Sequence, residues 1–465
     1  MRLLVKLHVL TLSLMLAAHG CSSLQNYTHK TAPARMSIDR GDFQGALATF
    51  PEKSARGKDE VLVRLERGMI LQDGGKFDLS SSEFEQANRK IGEFEEKAVI
   101  SAGRAAYQAG TLLINEQVMP YEGEDFEKIL LHSLDAVNYL MRGDLEGARV
   151  EIRKSYQRQE ELSEKHAKDL EKAEKDAGRG DWERSFQQAD YRGYERLREK
   201  AASVYSVYHN AFASYISALV YELTGEPDEA YIDLKKAIIA SPFSRSIQKD
   251  LIRLSRKLNN PEDTRQWEER FGIVENIPKK SIDVFVIFST GLAPYKEAIS
   301  FPIPIHEGLV FASLPIYRFT PSAPSSGMIV SDGMSVEASV VFDTDATAAR
   351  NLLDEFPIIF VKQIARSYLK ARATSQLAHE HGAWGAIIGT LFSGITERAD
   401  LRTWSTLPKE IQVGRAFLPQ STKEILIRGL PAGFFTTVPI PSGASHLIVL
   451  CRATDIGLNI YTKSF

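Results

Sequence analysis

The chain has 465 residues, of which 43% are hydrophobic and 25% are charged. This length allows two or three domains with cores of their own, and the composition is that of a globular protein. The formal net charge of −3 excludes the strongly basic domain that binding to nucleic acid requires, so no nucleic-acid partner is expected.

The N-terminus has the pattern of a secretory signal. Arg2 and Lys6 precede a short apolar run, and small residues then lead to Cys21 in LAAHGC. The run is shorter than the roughly 20 residues that span a bilayer. The Gly-Cys ending favours a lipoprotein with a signal peptide at residues 1–20 and a lipidated Cys21, followed by a linker at residues 21–34. A plain signal peptide with a chance cysteine is the alternative.

The residues around the two cysteines refine this interpretation. Ser22 stands where an aspartate would resemble an inner-membrane retention signal, so we expect an outer-membrane location facing the periplasm. The second cysteine, Cys451, has no partner for an intrachain disulfide if Cys21 carries lipid. Because it follows the apolar run HLIVL, Cys451 is predicted to be a buried apolar side chain.

Residues 35–277 are predicted to form a repetitive helical array. An aromatic residue, a turn glycine and a small residue recur at one spacing, and the second set ends in a proline: Tyr139, Gly143 and Ala148, then Tyr221, Gly225, Ala230 and Pro242. Less complete matches surround Gly41 and Gly75. This spacing is typical of tetratricopeptide (TPR) repeats, in which two helices cross closely at small residues. We therefore expect close helix contact at Gly225 and Ala230.

A charged insert interrupts the array at about residues 157–200. Lysines and glutamates alternate there at helical spacing, and few apolar residues are present. Such a pattern predicts a solvated helical hairpin. An arm that binds a partner is the alternative.

The pattern changes near residue 278. Short β-branched and aromatic runs, separated by Gly, Pro and Ser, predict strands. Residues 345–398 return to helical spacing and predict a helical hairpin. The fold class is therefore α+β, with an N-terminal TPR-like helical array and a mostly β, sandwich-like domain at residues 278–465 that contains this hairpin.

The second limb of the predicted hairpin is an apolar run rich in glycine at residues 382–395. A helix of this length would measure about 21 Å, which is short of the ~30 Å hydrocarbon core of a bilayer. Packing inside the domain is therefore predicted, with membrane contact and partner binding as alternatives. Asp400 and Arg402 are expected to form a buried or half-buried ion pair after it. Trp404 is expected to pack over a turn at the open end of the hairpin.

The sequence contains no catalytic or cofactor motif that we recognise. His379 and His381 lie two residues apart, whereas the helical zinc motif places its histidines at i and i+4. No phosphate-binding loop, dinucleotide fingerprint or nucleophile elbow occurs. No metal, cofactor or catalytic residue is therefore predicted. The alternative is an envelope enzyme or ligand-binding protein with a pocket around Asp400, Arg402 and Trp404.

The chain resembles a family of uncharacterised bacterial TPR-containing lipoproteins. The resemblance rests on the lipidated N-terminus and on two segments, PYEGEDFEKILLHSLDAVNYLMRGDLEGARVEIRK and ERADLRTWSTLP. The matching residues are Tyr121, Gly123, Phe126, Glu127, Asn138, Tyr139, Leu140, Ala148, Glu151 and Arg153 in the first, and Ala399, Asp400, Arg402, Trp404, Leu407 and Pro408 in the second. The resemblance covers most of the mature chain and implies no catalytic residue.

Genes of this family tend to lie beside genes for small lipoproteins similar to penicillin-binding-protein activators or to the curli-secretion pore lipoprotein. The resemblance therefore implies a non-enzymatic scaffold for protein–protein interaction in envelope assembly. The expected partners are envelope proteins, including such small lipoproteins, and the membrane through the lipid anchor.

Cys21 is expected to be acylated in the mature protein. Metabolic labelling with an alkyne analogue of palmitate should tag the wild-type protein and leave Cys21→Ser untagged, because the acyl chains attach through this cysteine. Equal labelling of the two proteins would contradict the lipoprotein prediction.

Overall fold

The computed structural model describes residues 27–102, 119–177, 192–278, 280–305, 308–320, 326–331, 333–360, 362, 399–429 and 433–465. Helices occupy most of the N-terminal part and strands most of the C-terminal part, which confirms the predicted α+β class. Several predicted features lie outside the described residues: the signal peptide, Cys21, the centre of the charged insert, the His379–His381 pair and the run at 382–395.

Helical hairpins follow one another along the first half of the chain. Their helices are α1 (Tyr27–Asp39), α2 (Phe43–Thr49), α3 (Glu60–Asp73), α4 (Phe77–Ala102), α5 (Asp125–Arg142), α6 (Leu145–Ala177), then α7 (Arg192–Ala201) between hairpins, and α8 (Ala211–Leu223), α9 (Pro227–Ala240), α10 (Arg245–Lys257) and α11 (Pro261–Phe271). The two helices of each hairpin pack together, and each hairpin packs on the next. No helix in the described part of the chain is both long and apolar enough to cross a membrane.

The first helix begins inside the range that the sequence assigns to a linker. α1 starts at Tyr27, and its residues Thr31, Ala34 and Ile38 are almost fully buried. Arg35 of the same helix donates hydrogen bonds to two carbonyl groups of the C-terminal half, at 2.6 and 2.8 Å. Residues 27–34 are therefore packed helix rather than linker, because they have a buried face and partners distant in sequence.

The turns inside the hairpins share one backbone conformation. Gly41, Gly75, Gly143 and Gly225 have φ between 68° and 83°, and Asn259 takes the same place in the last hairpin with φ 53°. Glycine adopts this region freely, and asparagine tolerates it better than most residues. The repeat pattern missed the α10–α11 hairpin because asparagine stands where the other four turns have glycine.

The residues predicted from the repeat pattern lie at corresponding places in the third and fourth hairpins. Ala148 and Ala230 are fully buried in the second helix of each. Tyr139 and Tyr221 lie in the first helix, each with an arginine guanidinium over its ring at 4.9 and 5.5 Å. Pro242 follows the end of α9. The expectation of close helix contact at Gly225 is wrong, because a Cβ placed there would meet nothing within 4 Å.

The C-terminal half contains three sheets and one described helix, α12, at residues 344–360. Its strands are β1 (Ser281–Thr290), β2 (Tyr295–Ile305), β3 (Gly308–Arg318), β4 (Gly327–Ser331), β5 (Met334–Glu337), β6 (Ser339–Asp343), β7 (Glu410–Pro419), β8 (Glu424–Gly429), β9 (Phe434–Pro439), β10 (His446–Thr454) and β11 (Gly457–Ser464). The first sheet has the order β11-β10-β1-β7-β6, with β1 and β10 parallel; the second has the order β5-β4-β8-β9; β2 and β3 form a two-stranded sheet. Of these strands, β4 and β11 were not predicted.

The five-stranded sheet is the middle layer of three. On one face of this sheet, residues such as Phe285 and Val413 join the core of the helical hairpins. On the other face, residues such as Val284 and Ala416 pack against the four-stranded sheet. Alternation of this kind follows from the strand period of two residues. Two sheets thus pack face to face, as the predicted sandwich requires. One apolar core also continues from the helices into the sheet, so the two halves of the chain are not separate bodies.

Cys451 lies in the core between the two sheets, as predicted. It is fully buried on β10, and burial raises the pKa of its thiol to about 12. The thiol therefore stays protonated at neutral pH, and the side chain acts as a small apolar residue.

Strand β11 lies across the first three hairpin turns. Its alternate residues approach the turn glycines in order: Asn459 at Gly41, Tyr461 at Gly75 and Lys463 at Gly143. A Cβ on Gly75 would lie 2.2 Å from the Tyr461 ring. This turn therefore needs glycine for close approach as well as for its backbone conformation.

Two alanine variants separate the requirement for a left-handed backbone from the requirement for close approach. Gly225→Ala should lower the free energy of unfolding by about 1–2 kcal/mol through backbone strain alone. Gly75→Ala should cost about 1–3 kcal/mol more, because it also displaces Tyr461. Chemical denaturation measures both. In a Tyr461→Ala background the cost of Gly75→Ala should fall to that of Gly225→Ala; an unchanged difference would contradict the steric explanation.

Candidate functional site

The predicted residues Asp400, Arg402 and Trp404 lie on a non-helical segment, residues 399–407, that ends in a turn at 405–406 and passes between α3 and α5. Trp404 is fully buried, and its ring lies edge-on to Phe84 of α4 with ring centroids 5.7 Å apart. Trp404 therefore does not pack over a turn of its own domain, as predicted, but fills the core of the helical hairpins. A large aromatic side chain gains more from this burial than from partial cover at the surface.

Glu66 of α3 binds the segment through its backbone. This fully buried carboxylate accepts hydrogen bonds from the N–H groups of Ser405 and Thr406, at 2.9 Å each. It also accepts from the hydroxyl groups of Ser405 and Tyr27, at 2.8 and 2.7 Å. Burial raises the pKa of Glu66, and the hydrogen bonds from these donors oppose that rise. Because every donor is directed at the carboxylate, the buried group is well satisfied.

Glu127 of α5 binds the preceding two residues. Its carboxylate accepts hydrogen bonds from the N–H of Trp404 at 2.7 Å and from the hydroxyl of Thr403 at 3.2 Å. The same carboxylate closes the capping box of α5 by accepting from the N–H of Glu124. Burial, together with the charge of Glu124, raises the pKa of Glu127 to about 7. The two segments that carry the family resemblance thus contact each other here.

Asp400 and Arg402 form the predicted ion pair, with 2.6 Å between Asp400 Oδ2 and Arg402 Nη2. Arg402 also reaches Asp59, before α3, at 2.8 Å, and its guanidinium lies over the Tyr121 ring at 5.3 Å. These contacts join the segment to the helical hairpins. Arg402 and Trp404 are 7% and 0% exposed. Among the described residues, both side chains face the interior.

A second charged cluster joins the sheet to later hairpins. Arg415 of β7 contacts Glu222 of α8, Asp250 of α10 and Asp283 of β1, at 2.5 to 2.8 Å. Arg253 of α10 contacts Glu222 and Asp250 at 2.6 and 2.8 Å. Three carboxylates and two guanidinium groups therefore share one buried place. Removing one member would leave its partners as uncompensated buried charges.

The cluster keeps its members ionised. Burial acts to raise the pKa of Glu222, but the charges of Arg415 and Arg253 outweigh burial and hold that pKa below its ordinary value. The pKa of Asp250 is lowered in the same way. Burial acts to lower the pKa of Arg415, and the three carboxylates raise it instead. Glu222, Asp250 and Arg415 are therefore charged at neutral pH.

A cleft of about 670 Å³ opens beside this cluster. Its walls are one face of α10, the segment at residues 274–278, the edge of β5, and parts of β1, β7 and β10. Phe417 lies in the wall, with the guanidinium groups of Arg253 and Arg415 at 5.2 and 5.3 Å from its ring. The volume falls within the range of roughly 300–1,000 Å³ that small-molecule sites occupy.

The sequence analysis did not identify the residues of this cleft. Asp283 and Arg415 each stand as a single charge inside an apolar strand, and their opposite signs were the available signal. The antiparallel register of β1 and β7 pairs Phe285 with Arg415 and Asp283 with Phe417. The two charges are thus diagonal neighbours on one face of the sheet. In the part of the chain that the structure describes, no cluster of His, Cys, Asp and Glu could hold a metal ion.

Arg415→Met should lower the free energy of unfolding at pH 8 by about 3–5 kcal/mol, because buried carboxylates lose their partner. The control variant Arg142→Met breaks the ion pair between half-exposed Arg142 and exposed Asp78, and it should cost about 0–1 kcal/mol.

The difference between the wild type and Arg415→Met should also depend on pH. The lowered pKa values of Glu222 and Asp250 stabilise the wild type above the pKa of these groups in the unfolded chain, and this contribution is lost on acidification. The two stabilities should therefore converge as the pH falls below about 4, through the lowered pKa values of the folded state. A gap independent of pH would contradict the charge explanation.

The sequence of this chain matches no protein-family model, and no curated protein is significantly similar to it. The resemblance to TPR-containing lipoproteins therefore rests on the motif residues alone, and the function has to be inferred from the groups described above.

Proposed function

We propose that this protein is a cell-envelope lipoprotein, anchored in the outer membrane through Cys21, that acts as a periplasmic scaffold for protein–protein interaction in outer-membrane or envelope assembly. Its helical hairpins would be TPR-like repeats. Arrays of such repeats build extended surfaces that hold peptides or proteins. Two or more acyl chains on Cys21 would make the attachment stable.

The observation that supports this proposal most directly is how the hairpins hold residues 403–406. We call the side formed by α1, α3, α5, α8 and α10, the first helices of the hairpins, the inner face. Glu66 and Glu127 lie on this face and bind this segment by its backbone N–H groups. The hydroxyl groups of Thr403 and Ser405 add side-chain hydrogen bonds to the same two carboxylates. The array therefore holds a stretch of non-helical chain, and the chain held here is its own.

The remaining inner face is also covered by the C-terminal domain. Tyr215 of α8 packs on Phe285 of β1 with ring centroids 5.4 Å apart, and Asp250 of α10 binds Arg415. Partners of the scaffold would therefore bind elsewhere. The second helices of the hairpins offer such a surface, with exposed apolar residues such as Ile232 and Ile239 on α9.

The charged helix α6 is a further candidate surface for partners. It has 33 residues, whereas its hairpin partner α5 has 18. At ~1.5 Å per residue, α6 reaches about 20 Å beyond α5. Its exposed ion pairs, Glu164–Lys168 and Glu171–Lys175, follow the i,i+4 spacing that stabilises a solvated helix. A long charged helix of this kind suits contact with a partner.

The scaffold proposal can be tested by photo-crosslinking in intact cells. A photoreactive amino acid placed at Glu164 of α6 or at Ile239 of α9 should give discrete adducts with envelope proteins in the outer-membrane fraction. The same positions in Cys21→Ser should give weaker adducts, because the protein is no longer held at the membrane. A reactive group at buried Phe84 is the matched control and should give no intermolecular adduct.

The proposal fails if neither exposed position yields an adduct while the anchored protein is folded and abundant. The alternative function, a ligand-binding protein, draws its support from the cleft beside α10 and not from residues 400–404. The cleft has the volume and the converging charged groups that such a site requires.

A further inference from the structure

We propose that the cleft beside α10 binds a small organic anion that carries carboxylate or phosphate groups. This site is separate from the surfaces that the scaffold proposal uses, and it does not depend on that proposal.

The charges of the cleft divide into an inner and an outer set. The inner set is the cluster of Arg253 and Arg415 with three carboxylates, and it carries one net negative charge. The outer set contains four cations from α10 and two carboxylates: Arg245, Lys249, Arg256 and Lys257 against Glu275 and Glu337. Arg256 is paired with Glu268, which lies outside the lining, so the outer set and this partner together carry one net positive charge. The mouth of the cleft therefore attracts anions, although the whole chain carries a net charge of −3.

Three of the outer cations have no carboxylate partner. Lys249 and Lys257 form no ion pair with any residue in the part of the chain that the structure describes, and Arg245 donates to the carbonyl of Phe271 and the side chain of Gln248. The residues at 245, 249, 253 and 256 follow helical spacing, so they share one face of α10. This face borders the cleft. Cations that share a concave surface without partners are suited to bind a ligand of opposite charge.

The inner set makes an anionic ligand at the mouth of the cleft more favourable than a cationic ligand at the buried carboxylates. The side chains of Glu222, Asp250 and Asp283 are only 6%, 4% and 10% exposed. Each is already bound to a guanidinium group, so a cationic ligand would have to displace Arg415 or Arg253. An anion at the outer lysines would break no existing contact.

The wall of the cleft also suits the body of an organic ligand. Phe417 is held between two guanidinium groups that are themselves fixed by carboxylates. Val274, Ile277 and Val336 add apolar surface, while Asn276 and Ser281 add neutral polar groups. A ligand with anionic groups at one end and a carbon skeleton at the other would use both parts of this lining.

Isothermal titration calorimetry at low ionic strength tests the site, with citrate as the carboxylate probe and inorganic pyrophosphate as the phosphate probe. At least one probe should bind the full mature chain, and the stronger one identifies the preferred anionic group. Lys249→Gln combined with Lys257→Gln should weaken binding about tenfold or more, because two charged hydrogen-bond donors are lost. Added salt should weaken binding to the wild type.

Two further double variants control for overall charge. Lys165→Gln with Lys172→Gln removes the same charge from exposed positions on α6 and should leave the affinity unchanged. Glu275→Gln with Glu337→Gln removes negative charge from the mouth of the cleft and should strengthen binding. The inference is overturned if neither probe binds at millimolar concentration, if both lysine variants weaken binding equally, or if the cation spermidine binds and the anions do not. None of these results would bear on the crosslinks that test the scaffold.

Discussion

The arrangement of this protein depends on two buried carboxylates that bind one non-helical segment. Glu66 and Glu127 are fully buried, a position that is costly for an ionisable group unless it is fully hydrogen-bonded. Residues 403–406 supply those hydrogen bonds from backbone N–H and hydroxyl groups, and the same bonds satisfy the backbone of the segment. Each side thus offsets part of the desolvation cost of the other. Strand β7 begins at Glu410, so this docking lies directly before the point where the chain enters the central sheet again.

Two other contacts hold the sheet to the helices away from this segment. The cluster around Arg415 ties β1 and β7 to α8 and α10. Strand β11 lies over the turns of the first three hairpins through Asn459, Tyr461 and Lys463. These contacts are separated along the chain, and a continuous apolar core lies between them, so the hairpins and the sheet share one packed interior.

This shared core has a consequence for function. The inner face of the hairpins is occupied by the protein's own C-terminal half, so that half cannot be treated as a separate ligand-binding domain. Among the described residues, the outer helices, the long helix α6 and the cleft beside α10 offer open surfaces. A membrane-anchored scaffold would present these surfaces in fixed positions relative to its lipid. The cleft adds a place where a small anion could bind without disturbing that arrangement.

The sequence by itself determined the local elements. The turn glycines and buried alanines marked four of the five described hairpins, short β-branched and aromatic runs marked most strands, and the short spacing of Asp400 and Arg402 indicated their ion pair. These features follow from the periods of helix and strand, which depend on neighbouring residues. Only the tertiary structure decided that Glu127 meets Trp404 or that Arg415 meets Asp250 and Glu222, because those partners are separated by 277, 165 and 193 positions. Local periodicity places a charge on a face, whereas the packing of hairpins on the sheet decides which opposite charge it meets there.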